Sequence, residues 1–219
     1  MPNILTLRVA LRNSKPPIWR KIEIDDSMTF EQLHLVIQGA MGWHNCHLYN
    51  FNIGRYISIE RDAEGLKLGE EIFDESYLAS KVKLSDFMTK VGEKFLYTYD
   101  FGDDWQVEIT VKAIATKKVG QKKVSCVSGK RSGPPEDCGG IWGYYNLLEI
   151  LEDENHPDYE VMIEWIREDF DPEYFNLAEI NKRLEKFNKI KRVHTGGKGG
   201  IWVLDPKKKL KKKKSKRKS

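Results

Sequence analysis

A chain of 219 residues with 40% hydrophobic and 11% aromatic content is long enough for one large domain or two small ones with a real core. No apolar run approaches the roughly 18–20 residues that span a bilayer, and Met1-Pro2-Asn3 begins no basic segment followed by an apolar one, so no membrane partner and no secretory leader are expected. The net charge of +4 joins two unlike parts: thirteen of the 37 Lys/Arg but one of the 33 Asp/Glu fall in residues 191–219, leaving a body of net −8 and a basic tail. Three cysteines, Cys46, Cys126 and Cys138, cannot all pair within the chain, and this fits a reducing cytoplasm.

Residues 3–12 alternate, with Leu5, Leu7, Val9 and Leu11 on one face and Thr6, Arg8 and Arg12 on the other, which predicts a half-buried strand. The break at Asn13–Pro17 and a second strand over Ile18–Ile24 make a hairpin with a longer loop. Thr29 ahead of Phe30-Glu31-Gln32 is a capping-box pattern, Phe30, Leu33, Ile37 and Met41 recur at helical spacing, and Gly42 is the stop. A third strand is expected over His47–Ile53, with Tyr56–Ile59 extending or following it. Residues 60–93 are charged and mixed, with a short helix near Leu84–Thr89. Phe95, Tyr97, Tyr99 and Phe101, then Trp105, Val107, Ile109 and Val111, read as the inward faces of a second hairpin turning at Gly102-Asp103-Asp104.

Beyond Cys138 the period becomes helical. Gly143–Glu152 is one segment. Pro157 opens another, with Tyr159, Met162, Ile163, Ile166 and Phe170 on one face. Asn176 caps a third, where Leu177, Ile180, Leu184 and Phe187 pack. The expected architecture is α+β: a β-grasp-like mixed sheet with a packed helix, plus C-terminal helices. Residues 1–190 form the α+β domain, and residues 191–219 a flexible Gly-rich joint and lysine-rich tail.

Several motifs occur in a fixed order: Pro16-Pro17-Ile18-Trp19-Arg20, Leu33-His34, Ile37-Gln38, Met41-Gly42-Trp43, His47-Leu48, Tyr97-x-Tyr99-Asp100-Phe101-Gly102-Asp103-x-Trp105, Pro134–Gly140 reading PPEDCGG, His156, Trp165, Phe170–Glu173 and Asn181. Together, over residues 4–185, they resemble the plasmid pRiA4b ORF-three-like family, also known as insertion-element passenger proteins. The resemblance implies a place near mobile elements in bacteria and archaea, and no reaction, substrate or cofactor. It also implies departures. Tyr49, Val107 and Gly133 stand where many members have His, His and Cys, so a family metal site using those positions would be partly lost here.

Four constellations carry chemistry. His44-x-x-His47 with Cys46 between, and Cys126 and Cys138 with eleven residues between them, are candidate ligands without the paired spacing of a structural zinc site. The alternative is a partly buried histidine and two ordinary thiols. Asp100, Asp103 and Asp104 gather at a hairpin end, as magnesium-binding carboxylates do and as turn-forming aspartates do. Glu136 and Asp137 beside a glycine pair suit acid/base or ligand roles and also helix capping. The sharpest enzyme constellation is His47, Asp100, Asp103, Glu136, Asp137 and His156, with Cys138 a further metal candidate. Trp19, Trp43, Trp105, Trp142 and Trp165 read as packing residues, or as an aromatic groove for a peptide or base. Arg20, on a strand with apolar neighbours, is expected to pair with a carboxylate of the body rather than to bind an anion.

Lys207, Lys208, Lys209, Lys211, Lys212, Lys213, Lys214, Lys216, Arg217 and Lys218 are the candidate nucleic-acid contacts. The functional expectation is a non-catalytic binding or adaptor protein, its acidic body meeting a protein partner and its tail a nucleic acid. The alternative is a metal-dependent hydrolase or nuclease using the carboxylate/His set.

Overall fold

The computed structural model describes residues 2–166, 170–189, 195–196 and 200–201. Two compact units divide at Asn188/Lys189. In the second, Thr195–Gly196 pairs antiparallel with Gly200–Ile201. The remaining residues of the expected joint and tail lie outside those described.

The first unit is one α+β body around an eight-stranded sheet. Its strands are β1 (Asn3–Leu11), β2 (Trp19–Asp25), β3 (Tyr49–Ile53), β4 (Ile57–Glu60), β5 (Glu75–Leu78), β6 (Lys94–Tyr99), β7 (Trp105–Thr116) and β8 (Val124–Lys130), in the order β5-β4-β3-β6-β7-β1-β2-β8. Every pairing is antiparallel except β4–β5. The mixed sheet expected from the two hairpins is present, and it is wider because β5 and β8 add edges.

Helix α1 (Phe30–Met41) packs across the sheet. Its capping box is complete, with Thr29 accepting from the Gln32 amide and the Gln32 side chain accepting from the Thr29 amide, and Gly42 closes the other end. Ten of its twelve residues are buried, more than a one-sided amphipathic helix hides. The second cover is α5 (Leu177–Lys189): a Cβ placed on Gly39 would lie 3.2 Å from Leu184 and 3.6 Å from Phe187. Asn176 caps α5 by accepting from the amides of Ala178 and Glu179.

Other elements depart from expectation. Helix α2 (Ala63–Ile72) and strand β5 occupy the stretch read as charged and mixed; α2 buries only Gly69 and β5 buries nothing, so neither leaves an apolar period. The expected short helix is a 3-10 turn at Leu84–Asp86. Phe101 is exposed, because β6 ends at Tyr99 and Asp100 turns the chain with φ 56°. Helix α3 (Gly140–Glu152) begins three residues before Gly143. Helix α4 (Tyr159–Ile166) forms, but none of its residues is buried. Trp43 and Trp105 are core residues, whereas Trp142 is 83% and Trp165 40% exposed. Among the described residues no helix is long and apolar enough to cross a membrane.

Candidate functional site

The loop after α1 carries His44, Cys46 and His47, and a buried polar ring holds it. The Gln38 amide nitrogen donates to the Tyr97 hydroxyl at 3.0 Å, and the Asn45 backbone amide donates to Gln38 Oε1 at 2.8 Å. His34 lies between, with Nδ1 2.7 Å from the Tyr97 hydroxyl and Nε2 against Asn45 Oδ1. Burial pushes the His34 imidazole down to about 3, so it is neutral and has one donor and one acceptor. Asn45 Oδ1 only accepts, which places the proton on Nε2 and makes Tyr97 donate to Nδ1. The ring then closes: Gln38 to Tyr97 to His34 to Asn45 and back to Gln38. Every member is satisfied, as a buried polar network requires. Tyr49 covers it, stacked on His34 at 3.6 Å.

The β6–β7 turn supplies Asp100. Its Oδ1 accepts from the amides of Gly102 (3.0 Å) and Asp103 (3.4 Å), an Asx turn. Its Oδ2 lies 3.5 Å from His47 Nδ1. One carboxylate therefore both forms the turn and faces the imidazole.

The PPEDCGG segment crosses the same end of the sheet. Gly140, at φ 68°, sits against the Asp103 carbonyl; a Cβ there would come within 2.2 Å of that oxygen. Only glycine permits both the left-handed backbone and the close approach. The Trp43 indole donates to the Pro134 carbonyl at 3.0 Å. So anchored, adjacent carboxylates take opposite roles. Glu136 is clamped: it accepts from the His44 amide at 2.8 Å and from the Tyr99 hydroxyl, with His44 Nδ1 at 2.7 Å. Burial, and then the Glu136 carboxylate, push the Tyr99 phenol well up. Asp137, in a left-handed conformation at φ 59°, has a side chain 68% exposed and Oδ1 3.1 Å from His47 Nε2.

His47, Asp100 and Asp137 thus each offer a ligand atom, all within 4.8 Å of one another. The Nε2 of His47 is buried and, despite its 3.1 Å approach to Asp137, makes no aligned hydrogen bond. His47 thus faces a carboxylate at each ring nitrogen, Asp100 at Nδ1 and Asp137 at Nε2. Among the described residues this is the one His/Cys/Asp/Glu group placed to hold a metal.

The other candidates lie elsewhere. The Asp103 carboxylate is close enough to Cys138 to help raise its thiol, which burial first and Asp103 second push up to about 12; Asp103 Oδ2 is buried with no hydrogen-bond partner. His156 sits between α3 and α4, its Nδ1 accepting from the Asp158 amide at 3.1 Å. Lys207–Lys218 are outside the described residues. The Asp–Glu pair, read as one unit in the sequence, is split by the structure into a clamp and a free ligand.

Asp137 also lines a groove of about 1040 Å³ between the loop after α1, the PPED segment and the α4–α5 region. Trp43, Trp165, Phe170, Tyr174 and Phe175 supply aromatic surface, and Arg20 and Arg183 supply charge. Arg20 does not meet the carboxylate expected of it. Its guanidinium, 2% exposed as a residue, donates to the carbonyls of Ala40, Trp19 and Lys130. Arg183 was not singled out from the sequence. Its only signal there is its place one turn after Glu179 on α5.

A family model described as plasmid pRiA4b ORF-3-like protein matches residues 3–179. The chain belongs to this family. It is 32% identical over 186 residues to the uncharacterised protein y4hQ of Sinorhizobium fredii (strain NBRC 101917 / NGR234), covering 84% of this chain and 91% of that one. It is similar to the crystal structure of MM3350, a protein of unknown function from Methanosarcina mazei Go1, with TM-score 0.71 and 34% identity over 82% of this chain and 98% of that chain. The three departures noted in the sequence have structural counterparts. Tyr49 lids the polar ring and Val107 is fully buried. A Cβ on Gly133 would fall 2.2 Å from the Met41 carbonyl, so a cysteine there requires a shifted backbone.

Proposed function

We propose that this family member is a divalent-metal-dependent hydrolase, with His47, Asp100 and Asp137 as metal ligands at the edge of the groove. One observation carries the reading: three ligand atoms from three distant segments meet within 4.8 Å, beside a groove able to take a substrate. One histidine and two carboxylates suit zinc or manganese and leave coordination positions for water. A metal so bound lowers the pKa of its water and polarises an ester or phosphoryl oxygen. Glu136 keeps the loop in place through His44 and Tyr99. The test is metal analysis of the purified protein with hydrolysis of bis-p-nitrophenyl phosphate and p-nitrophenyl acetate, before and after chelation. The reading expects about one metal per chain and turnover that chelation removes and metal restores. Protein that takes up no metal overturns it.

A second reading is the adaptor, favoured by the surface of α3 and α4. Trp142, Val161, Ile163 and Trp165 are exposed there, amid the acidic side chains Glu149, Glu152, Glu160 and Glu164. In that account this face meets a protein partner and the cations of residues 207–219 contact nucleic acid near mobile elements. Comparing residues 1–219 with 1–190 for nucleic-acid binding at two salt concentrations tests the tail: the truncated chain loses salt-sensitive binding, and equal binding by both contradicts it.

A further inference from the structure

The groove holds two arginines that the metal centre does not explain, beside four carboxylates, Glu136, Asp137, Asp171 and Glu179. Asp137 belongs to the metal cluster, and the other three are engaged. Glu136 is held by His44 and Tyr99. Glu179 accepts from the Tyr174 hydroxyl at 2.8 Å and Asn176 Nδ2 at 3.1 Å. Asp171 Oδ1 accepts from the Glu173 amide at 2.8 Å. The cations are not so matched. Among the described residues neither Arg20 nor Arg183 has a carboxylate within 4.0 Å.

Arg20 is the sharper case. A guanidinium has five N–H donors. Its Nε and Nη1 reach three carbonyls, while Nη2 makes no hydrogen bond among the described residues. Carbonyls at the end of α1 partly offset the charge, but a buried cation without a counter-ion is costly. Burial pulls its pKa down to about 10, and the nearby Arg183 acts in the same direction; it is still a cation at neutral pH. Two arginines lining one groove are suited to an anion in it. Phe175 lies over the Arg20 guanidinium, 5.3 Å from ring centroid to Cζ.

We propose that the groove binds a nucleotide, with Arg20 Nη2 and Arg183 donating to its phosphate and the Trp165, Tyr174 and Phe175 side chains facing its base. Guanidinium groups match phosphate oxygens in bidentate geometry, and aromatic faces stack on any base. The volume is at the upper end of small-molecule sites, enough for a mononucleotide. This names the substrate class of the hydrolase proposed above and so rests on that reading, through Asp137, which belongs to both metal cluster and groove.

The test is tryptophan fluorescence and calorimetry on the full chain with AMP, adenosine and inorganic phosphate, first with EDTA and then with manganese. AMP binds in EDTA, and adenosine and phosphate each bind at least about tenfold more weakly, a loss of about 1.4 kcal/mol. Arg183→Gln, at an exposed position, weakens AMP about tenfold while leaving manganese binding unchanged. Arg20→Lys keeps a cation but loses the fork, and also weakens AMP. Equal affinity for AMP and adenosine, no AMP binding, or no effect of Arg183→Gln overturns the nucleotide site. Failure of manganese to bind while AMP does bind overturns the hydrolase reading alone, so the two fail separately.

Discussion

The sheet with α1 and the segment from Gly133 to Phe187 are built on different principles. In the first, aromatic and aliphatic side chains close completely: Phe30, Phe51, Tyr97, Trp105 and Leu7 are each at most 1% exposed. In the second, α3 and α5 each bury one side, through Tyr144, Leu147 and Ile150 and through Ile180, Leu184 and Phe187, while α4 buries nothing wholly and Trp142 stands in solvent. Its loops add close contacts, Gly140 on Asp103 and Trp43 on Pro134 among them. The framework is closed on all sides, and the strap is buried on one side only and fixed by anchors. The candidate metal centre lies where the two meet, with His47 and Asp100 from the framework and Asp137 from the strap. Its geometry therefore depends on the anchors.

The largest expected effect is at an anchor. Gly140→Ala adds a methyl 2.2 Å from the Asp103 carbonyl at φ 68°, and should cost about 3 kcal/mol or more in urea unfolding. A loss below about 1 kcal/mol would show that the strap yields easily. In the framework, Lys117 pairs with the buried Asp25 at 2.6 Å. Burial raises the Asp25 carboxyl, but hydrogen bonds from Lys117 and Ser27 outweigh it and hold it below its ordinary value. This stabilisation is present above the unfolded carboxyl pKa of about 3.9 and is lost as pH falls through the folded value. Lys117→Met leaves Asp25 buried and unpaired and should cost about 3 kcal/mol at pH 7.

The polar ring gives a smaller, pH-specific effect. His34 is depressed to about 3 in the folded chain from about 6.5 unfolded. Its stabilisation is thus complete above pH 6.5 and declines as the unfolded chain takes up the proton. Between pH 6.5 and 5 the loss should reach about 2 kcal/mol. Denaturation across that range should be flatter by about one proton in His34→Gln. An unchanged slope would remove His34 from the account. The smallest effect belongs to Tyr145, whose hydroxyl accepts from the Lys15 amide; Tyr145→Phe should cost about 1 kcal/mol by thermal unfolding.

The framework was legible in the sequence because half-buried strands alternate and α1 has a complete capping box. Its edges were not. Of β8, only Val124 and Cys126 are buried, and α2 rests on Gly65 and Gly69 close to Glu60 rather than on an apolar stripe. The exposure of Trp142 and Trp165 was also hidden, since an unpartnered amphipathic helix has the same period as a packed one. The site residues were individually visible, but their meeting was not. Pairing of Tyr49 with Tyr99 puts His47 and Asp100 at one end of the sheet. The Gly140–Asp103 contact then brings Asp137 to them. Both are contacts between segments far apart in the chain, and no local period records them.

The adjacent carboxylates offer the most direct measurement: calorimetric titration of zinc and manganese into metal-free protein, for the wild type, Asp137→Asn and Glu136→Gln. The account predicts one site per chain in the wild type, affinity at least about tenfold lower in Asp137→Asn, and a smaller change in Glu136→Gln. No binding by the wild type, or equal binding by Asp137→Asn, would contradict the assignment of His47, Asp100 and Asp137 as a metal centre.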